Sequence, residues 1–152
     1  MPDGLTPKAE ARLSLNSRLA KLALVRPWVD VLAAEHHIPE EKVFAINLCL
    51  EEALSNVIRH GYLGERDHRL TVDFSVDADG ELVFTIEDDA PRFNSSEFKE
   101  RPAPASADEI KPGGQGIQLM RKFANSLAWE PLPHGNRLTL GFHYGAPGGE
   151  PR

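Results

Sequence analysis

The chain has 152 residues, 41% of them hydrophobic and 26% charged, with a formal net charge of −6. That length suits one domain able to bury about two-thirds of its surface on folding. The acidic balance argues against a broad nucleic-acid-binding surface. No apolar run approaches the roughly 20 residues a membrane-spanning helix needs, and MPDGLTPKAEARLSL has no signal-peptide core. The single cysteine, Cys49, cannot form an internal disulfide, so the expected compartment is the cytoplasm.

Residues 1–9 and 145–152 (GAPGGEPR at the C-terminal end) are rich in Pro and Gly and are expected to be flexible tails around a domain spanning 10–144. Ala11–Leu15 is a candidate first strand. Asn16–His36 reads as a helix with apolar positions at Leu19, Leu22, Ala23, Val29 and Leu32, in which Pro27 must either bend the axis or sit in the first turn. Pro39-Glu40-Glu41 opens the strongest helix, because Pro suits a first turn and acids complement the positive end of the dipole. Val43, Ile46, Leu50, Ala53/Leu54 and Val57/Ile58 form its apolar stripe, and Gly61 is its expected stop.

Arg69–Val76 and Glu81–Glu87 alternate with period two around Asp77-Ala78-Asp79-Gly80, which predicts a hairpin. Residues 94–112 carry no periodicity and three prolines, the signature of a long functional or mobile loop. A short amphipathic helix is expected over Gly116–Asn125. A second hairpin follows, Ser126–Pro131 and Arg137–His143, turning at His134-Gly135-Asn136. Two hairpins with two or three helices imply an α+β fold: a two-layer sandwich with helices packed on one face of a mainly antiparallel sheet.

Three segments carry chemistry. Glu52, Asn56 and His60 recur at i, i+4 and i+8 and share one helical stripe. An Asn oxygen is a suitable hard ligand for Mg²⁺, and a Glu one turn away can take a proton from an attacking hydroxyl. Taken alone, the stripe reads more readily as the edge of a solvated face, like Glu51-Ser55-Arg59 beside it. At the end of the next hairpin, Asp88 can accept a hydrogen bond from an adenine amino group, although Asp88-Asp89-Ala90-Pro91 is also ordinary turn chemistry. Gly113-Gly114-Gln115-Gly116-Ile117 precedes a helix, where glycines let backbone approach a phosphate. It matches neither the P-loop nor the dinucleotide fingerprint, so by itself it serves equally as a hinge.

Together, Glu52-Ala53-Leu54-Ser55-Asn56, His60-Gly61-Tyr62, Asp88-Asp89-Ala90-Pro91-x-Phe93, Gly113-Gly114-x-Gly116-Ile117-x-Leu119 and Asn136-Arg137-Leu138-Thr139-Leu140 resemble the GHKL (histidine-kinase-like, Bergerat-fold) ATPases. Within that superfamily the chain is similar to the stand-alone anti-sigma-factor serine kinases of bacterial partner-switching systems. The resemblance runs from about Asn16 to Phe142.

It implies ATP and Mg²⁺ as cofactors, with Glu52 as catalytic base and Asn56 holding the metal. Asp88 would read the adenine, Ala90, Phe93 and Thr139 would also bind the nucleotide, and His60 would support it. Gly113, Gly114, Gln115, Gly116 and Ile117 would line the phosphate side, and 94–112 would be the ATP lid, with Lys99, Arg101 or Lys111 near the γ-phosphate. It also implies phosphoryl transfer to a serine of a STAS-domain anti-anti-sigma partner, sequestration of a sigma factor, and a homodimer. Arg26 would face partners. The alternative from another class is a nucleotide-gated interaction module without catalysis. A two-component histidine kinase is disfavoured by the lack of a preceding helix pair bearing a phospho-acceptor His. Ala90 stands where such proteins usually carry Gly, and its methyl group and penalty at positive φ put ATP affinity in question.

Overall fold

The computed structural model describes residues 10–62, 67–92 and 116–143, with only the backbone described for 116–119. The expected tails, the lid at 94–112, and Phe93, Lys111, Gly113, Gly114 and Gln115 lie outside these residues. The order is β1 (Ala11–Asn16), a 3₁₀ segment (Leu19–Leu24), α1 (Val25–His36), α2 (Glu40–Asn56) running into a π-type turn (Val57–Gly61), β2 (Arg69–Val76), β3 (Leu82–Asp88), α3 (Gly116–Phe123), β4 (Ser126–Leu132) and β5 (Gly135–Phe142). The five strands form one antiparallel sheet in the order β1-β2-β3-β5-β4. This is the expected α+β sandwich.

Alternation decides which sheet face meets the helices. Leu70, Val72 and Phe74 of β2, Leu82, Phe84 and Ile86 of β3, and Leu138, Leu140 and Phe142 of β5 are all buried. They close one core with Val25, Val29 and Leu32 of α1 and Ile46, Leu50 and Leu54 of α2. The residues between them make the other face polar: Arg12 pairs with Asp73 at 2.6 Å, and Arg137 bridges Glu87 and Glu130, each at 2.8 Å. Such exposed pairs contribute about 0–1 kcal/mol each, so the core holds the fold.

Its centre is aromatic. The Phe84 ring contacts Phe74 (5.2 Å between centroids), Phe142 (5.9 Å) and Trp28 (6.1 Å), joining three strands to α1. Phe84→Ala is therefore expected to cost about 3–5 kcal/mol, since the site is fully buried and its neighbours are held by strand pairing. Urea denaturation would measure this, and a loss under 1 kcal/mol would contradict the packing described.

The first helix differs from the sequence expectation. Asn16 does not begin it; Asn16 ends β1 opposite Arg69, and buried Ser17 extends the clamp by accepting a hydrogen bond from the His68 N–H at 3.1 Å. Helical structure begins as 3₁₀ at Leu19 and becomes α at Val25, which puts Pro27 in the first α-turn, where its missing N–H costs nothing. His37 closes α1 in the left-handed region (φ 57°, ψ 44°) and donates its N–H to Ala33. For α2, the Pro39 carbonyl accepts from the Lys42 and Val43 N–H groups, with Glu40 and Glu41 in the first turn. The β2–β3 turn is held by Asp77, whose Oδ1 accepts from the Asp79 and Glu81 N–H groups at 2.9 Å, while Gly80 supplies φ +83°. The second hairpin turns at Pro133-His134, one residue earlier than expected, because Gly135 and Asn136 already pair with Leu132 and Pro131.

Candidate nucleotide site

Glu52 and Asn56 lie one turn apart on α2, the helix packed between α1 and α3. Glu52 is half-buried. Asn56 is completely buried, and neither its Oδ1 nor its Nδ2 has a hydrogen-bond partner among the described residues. A buried amide normally makes its bonds, and each group left without one costs about 1–3 kcal/mol. The helix widens into the π-type turn directly after Asn56, with the Tyr62 N–H reaching back to the Val57 carbonyl at 2.8 Å. Such turns occur disproportionately at functional sites. His60 lies within this wider turn and is half-buried.

Asp88 ends β3 on the helix-facing side of the sheet and is 8% exposed. Its Oδ1 accepts from the Ala90 N–H and from Asn136 Nδ2, both at 2.9 Å. Burial pushes the carboxyl pKa up, the two hydrogen bonds oppose that shift, and the neighbouring charge of Asp89 adds to it. Oδ2 accepts no hydrogen bond from a described residue. Ala90 is buried in the core cluster. It does not sit at positive φ, because His37 is the only non-glycine there among the described residues. The conformational objection to alanine at this position is thereby removed, and only the added methyl group remains.

A clasp joins this strand end to the exit of α2. The Tyr62 hydroxyl donates to Asp89 Oδ1 at 2.6 Å and accepts from the Asp89 N–H at 3.1 Å. His68 stacks on the Tyr62 ring at 4.4 Å and places Nδ1 3.3 Å from the same carboxylate oxygen. The residue beside Asp88 is thus fixed by side chain and backbone together.

Of the remaining expected positions, Gly116 and Ile117 form the first turn of α3, which packs on α2. Thr139 is not brought to the others. It lies between buried Leu138 and Leu140, opposite Thr85 and Ala128, on the sheet face turned away from the helices. Asn136, three residues earlier and of the opposite parity, meets Asp88 instead. Sequence reading placed Asn136 in a turn; its position in the Asn136-Arg137-Leu138-Thr139-Leu140 run and the period of two were the available signals. Arg26 is exposed but engaged, its guanidinium forking onto Glu51 at 2.9 and 3.1 Å. Burial, then the charge of Glu52, pushes the Cys49 thiol up to about 12, so it is no nucleophile at neutral pH. Among the described residues there is no cluster of three or more His, Cys, Asp or Glu side chains fit for a metal. No helix among them is long and apolar enough to cross a membrane.

Residues 15–142 match the family described as Histidine kinase-like ATPase domain, and the chain belongs to that family. It is 27% identical over 132 residues to the serine/threonine-protein kinase BtrW of Bordetella bronchiseptica, covering 86% of this chain and 90% of that protein. It is 25% identical over 118 residues to the anti-sigma F factor of Halalkalibacterium halodurans, covering 78% and 80%. Among solved structures it resembles the RsbU and RsbW domains of a Mycobacterium tuberculosis protein, with TM-score 0.59 and 14% identity, covering 88% of this chain and 32% of that one. The chain therefore spans about a third of that larger protein, and the likeness is one of fold.

Proposed function

We propose that this chain is an ATP- and Mg²⁺-dependent protein-serine kinase that acts as an anti-sigma regulator. It phosphorylates a STAS-domain anti-anti-sigma protein, sequesters a sigma factor and works as a cytoplasmic homodimer built on a domain spanning 10–144. The observation that carries this reading is Asn56: a sealed amide with no partner among the described residues, one turn from a carboxylate, in a chain related over most of its length to a serine/threonine kinase.

Asn56 Oδ1 would hold Mg²⁺, a hard cation that suits an amide oxygen and is usually completed by phosphate and water rather than by a cage of protein ligands. ATP supplies the γ-phosphoryl group. The partner's serine Oγ attacks the γ-phosphorus, the bond to the bridging β-phosphate oxygen breaks, and Glu52 accepts the serine proton. Asp88 accepts a hydrogen bond from the adenine amino group through Oδ2. His60, Ala90 and Phe93 line the nucleotide, Gly113, Gly114, Gln115, Gly116 and Ile117 take the phosphate side, and Lys111 of the 94–112 lid approaches the γ-phosphate.

The test is transfer of labelled γ-phosphate from ATP to purified STAS-domain candidates. Wild-type protein is expected to label one of them on a serine. Glu52→Gln should cut the rate by about 10²–10⁴-fold while leaving ATP affinity within a few-fold, the range for loss of a general base. A protein that binds ATP and labels no candidate would support a nucleotide-gated interaction module instead.

A further inference from the structure

We propose that Trp129 and Asn136 are positioning residues that together dictate which oxygen of Asp88 is offered to the nucleobase, and thereby select a purine bearing a 6-amino group. The inference rests on the nucleotide reading above and adds to it the source of base specificity.

The relay begins at the indole. A Trp Nε1–H can only donate, and that of Trp129 lies 3.2 Å from Asn136 Oδ1. Trp129 belongs to edge strand β4 and is half-buried; opposite Leu138, it shares the helix-facing side with Asn136. Its donation determines the orientation of the Asn136 amide. The Nδ2 group then points at three acceptors: Asp88 Oδ1 at 2.9 Å, the Pro91 carbonyl at 3.1 Å and the Ala90 carbonyl at 3.3 Å. A flipped amide would set an oxygen against three oxygens and an NH₂ against an N–H. Asn136 is 3% exposed, so water cannot relieve such a mismatch.

The consequence falls on Asp88. With the Ala90 N–H also donating to Oδ1, that oxygen is engaged twice and the carboxylate cannot rotate freely. Oδ2 is left as an acceptor with no partner among the described residues. A 6-amino purine presents a donor to such an oxygen. A 6-oxo purine presents an acceptor, and a site of buried polar groups rejects a mismatched partner strongly. Were the amide free to turn, Asp88 would lose a donor, hold its proton more readily, and accommodate either base.

Two variants test the relay in the full-length chain. Trp129→Phe keeps a ring in β4 and removes the indole donor to Asn136 Oδ1, whereas Asn136→Leu removes the amide itself. Dissociation constants for ATP and inosine triphosphate, both with Mg²⁺, give the discrimination ratio. Both variants are expected to lower it by about tenfold, the size of one buried hydrogen-bond mismatch. Carbon-13 NMR of the Asp88 carboxyl in ligand-free protein should show titration at higher pH in each variant, as expected when a donor to the charged form is lost. An unchanged ratio in folded variants, or an unmoved Asp88 titration, overturns the relay. If wild-type protein binds neither nucleotide, the nucleotide reading and the selection built on it fall together. The carboxyl titration then still decides whether Trp129 and Asn136 position Asp88.

Discussion

Asn56→Leu is expected to raise the melting temperature and at the same time abolish Mg²⁺-dependent ATP binding. The reason is the same buried amide in both cases. Oδ1 and Nδ2 of Asn56 are sealed without partners among the described residues, and the residue lies within a helix whose neighbours Ala53, Leu54, Val57 and Ile58 are core. Leu has the same number of side-chain heavy atoms as Asn, branched at the same carbon, and leaves no polar group to desolvate. The gain should be about 1–3 kcal/mol, or roughly 2–12 °C for a domain of this size. What Leu cannot do is coordinate magnesium, so phosphoryl transfer should fall below detection. Asn47 is the internal control: it too has a buried Oδ1 with no partner among the described residues, but it stands more than two turns away, in the middle of α2. Asn47→Leu should stabilise slightly and leave nucleotide binding intact. Calorimetric melting and ATP titration of both variants decide the matter, and an Asn56→Leu protein that binds Mg·ATP normally would remove Asn56 from the metal role. Stability given up at one position for ligation is a common exchange at functional sites.

Local pattern made much of this architecture readable, and long-range contact accounts for what it missed. Arg69–Val76 was delimited by alternation alone, because β2 is covered on one face and its period is strict. The stripe and first turn of α2 were equally plain. The start of α1 was not, since nothing near Asn16 reports that it pairs with Arg69, more than fifty residues away. The site divides in the same way. Glu52 and Asn56 are related by helical spacing and could be paired from the sequence. The Tyr62–Asp89 hydrogen bonds and the Trp129–Asn136–Asp88 chain each join different elements, and no periodicity encodes them. Thr139 illustrates the limit: motif position suggested it, while strand parity, set by the burial of Leu138 and Leu140, turns it to the far face.

The same strand end yields the sharpest expected loss. Gly135→Ala should unfold or severely weaken the protein, whereas Gly80→Ala should be mild, although both glycines have positive φ. A Cβ on Gly135 would lie 1.8 Å from the Asp88 carbonyl oxygen, 2.8 Å from its carbon and 2.9 Å from Asp89 Cα. All three are backbone atoms at the end of paired strand β3, so no rotamer change relieves the clash, and β3 and β5 would have to separate beside Asp88. A Cβ on Gly80 meets nothing within 4 Å, leaving only the cost of left-handed backbone, about 1–2 kcal/mol. Gly135→Ala should exceed 3 kcal/mol, the range of forced overpacking, and any folded fraction should bind ATP at least about tenfold more weakly, because the shift passes directly into Asp88. Urea midpoints for the two variants measure the first effect and nucleotide titration the second. Equal midpoints would mean that the β3–β5 end yields easily, and a yielding strand end could not hold Asp88 in the fixed orientation that base selection requires.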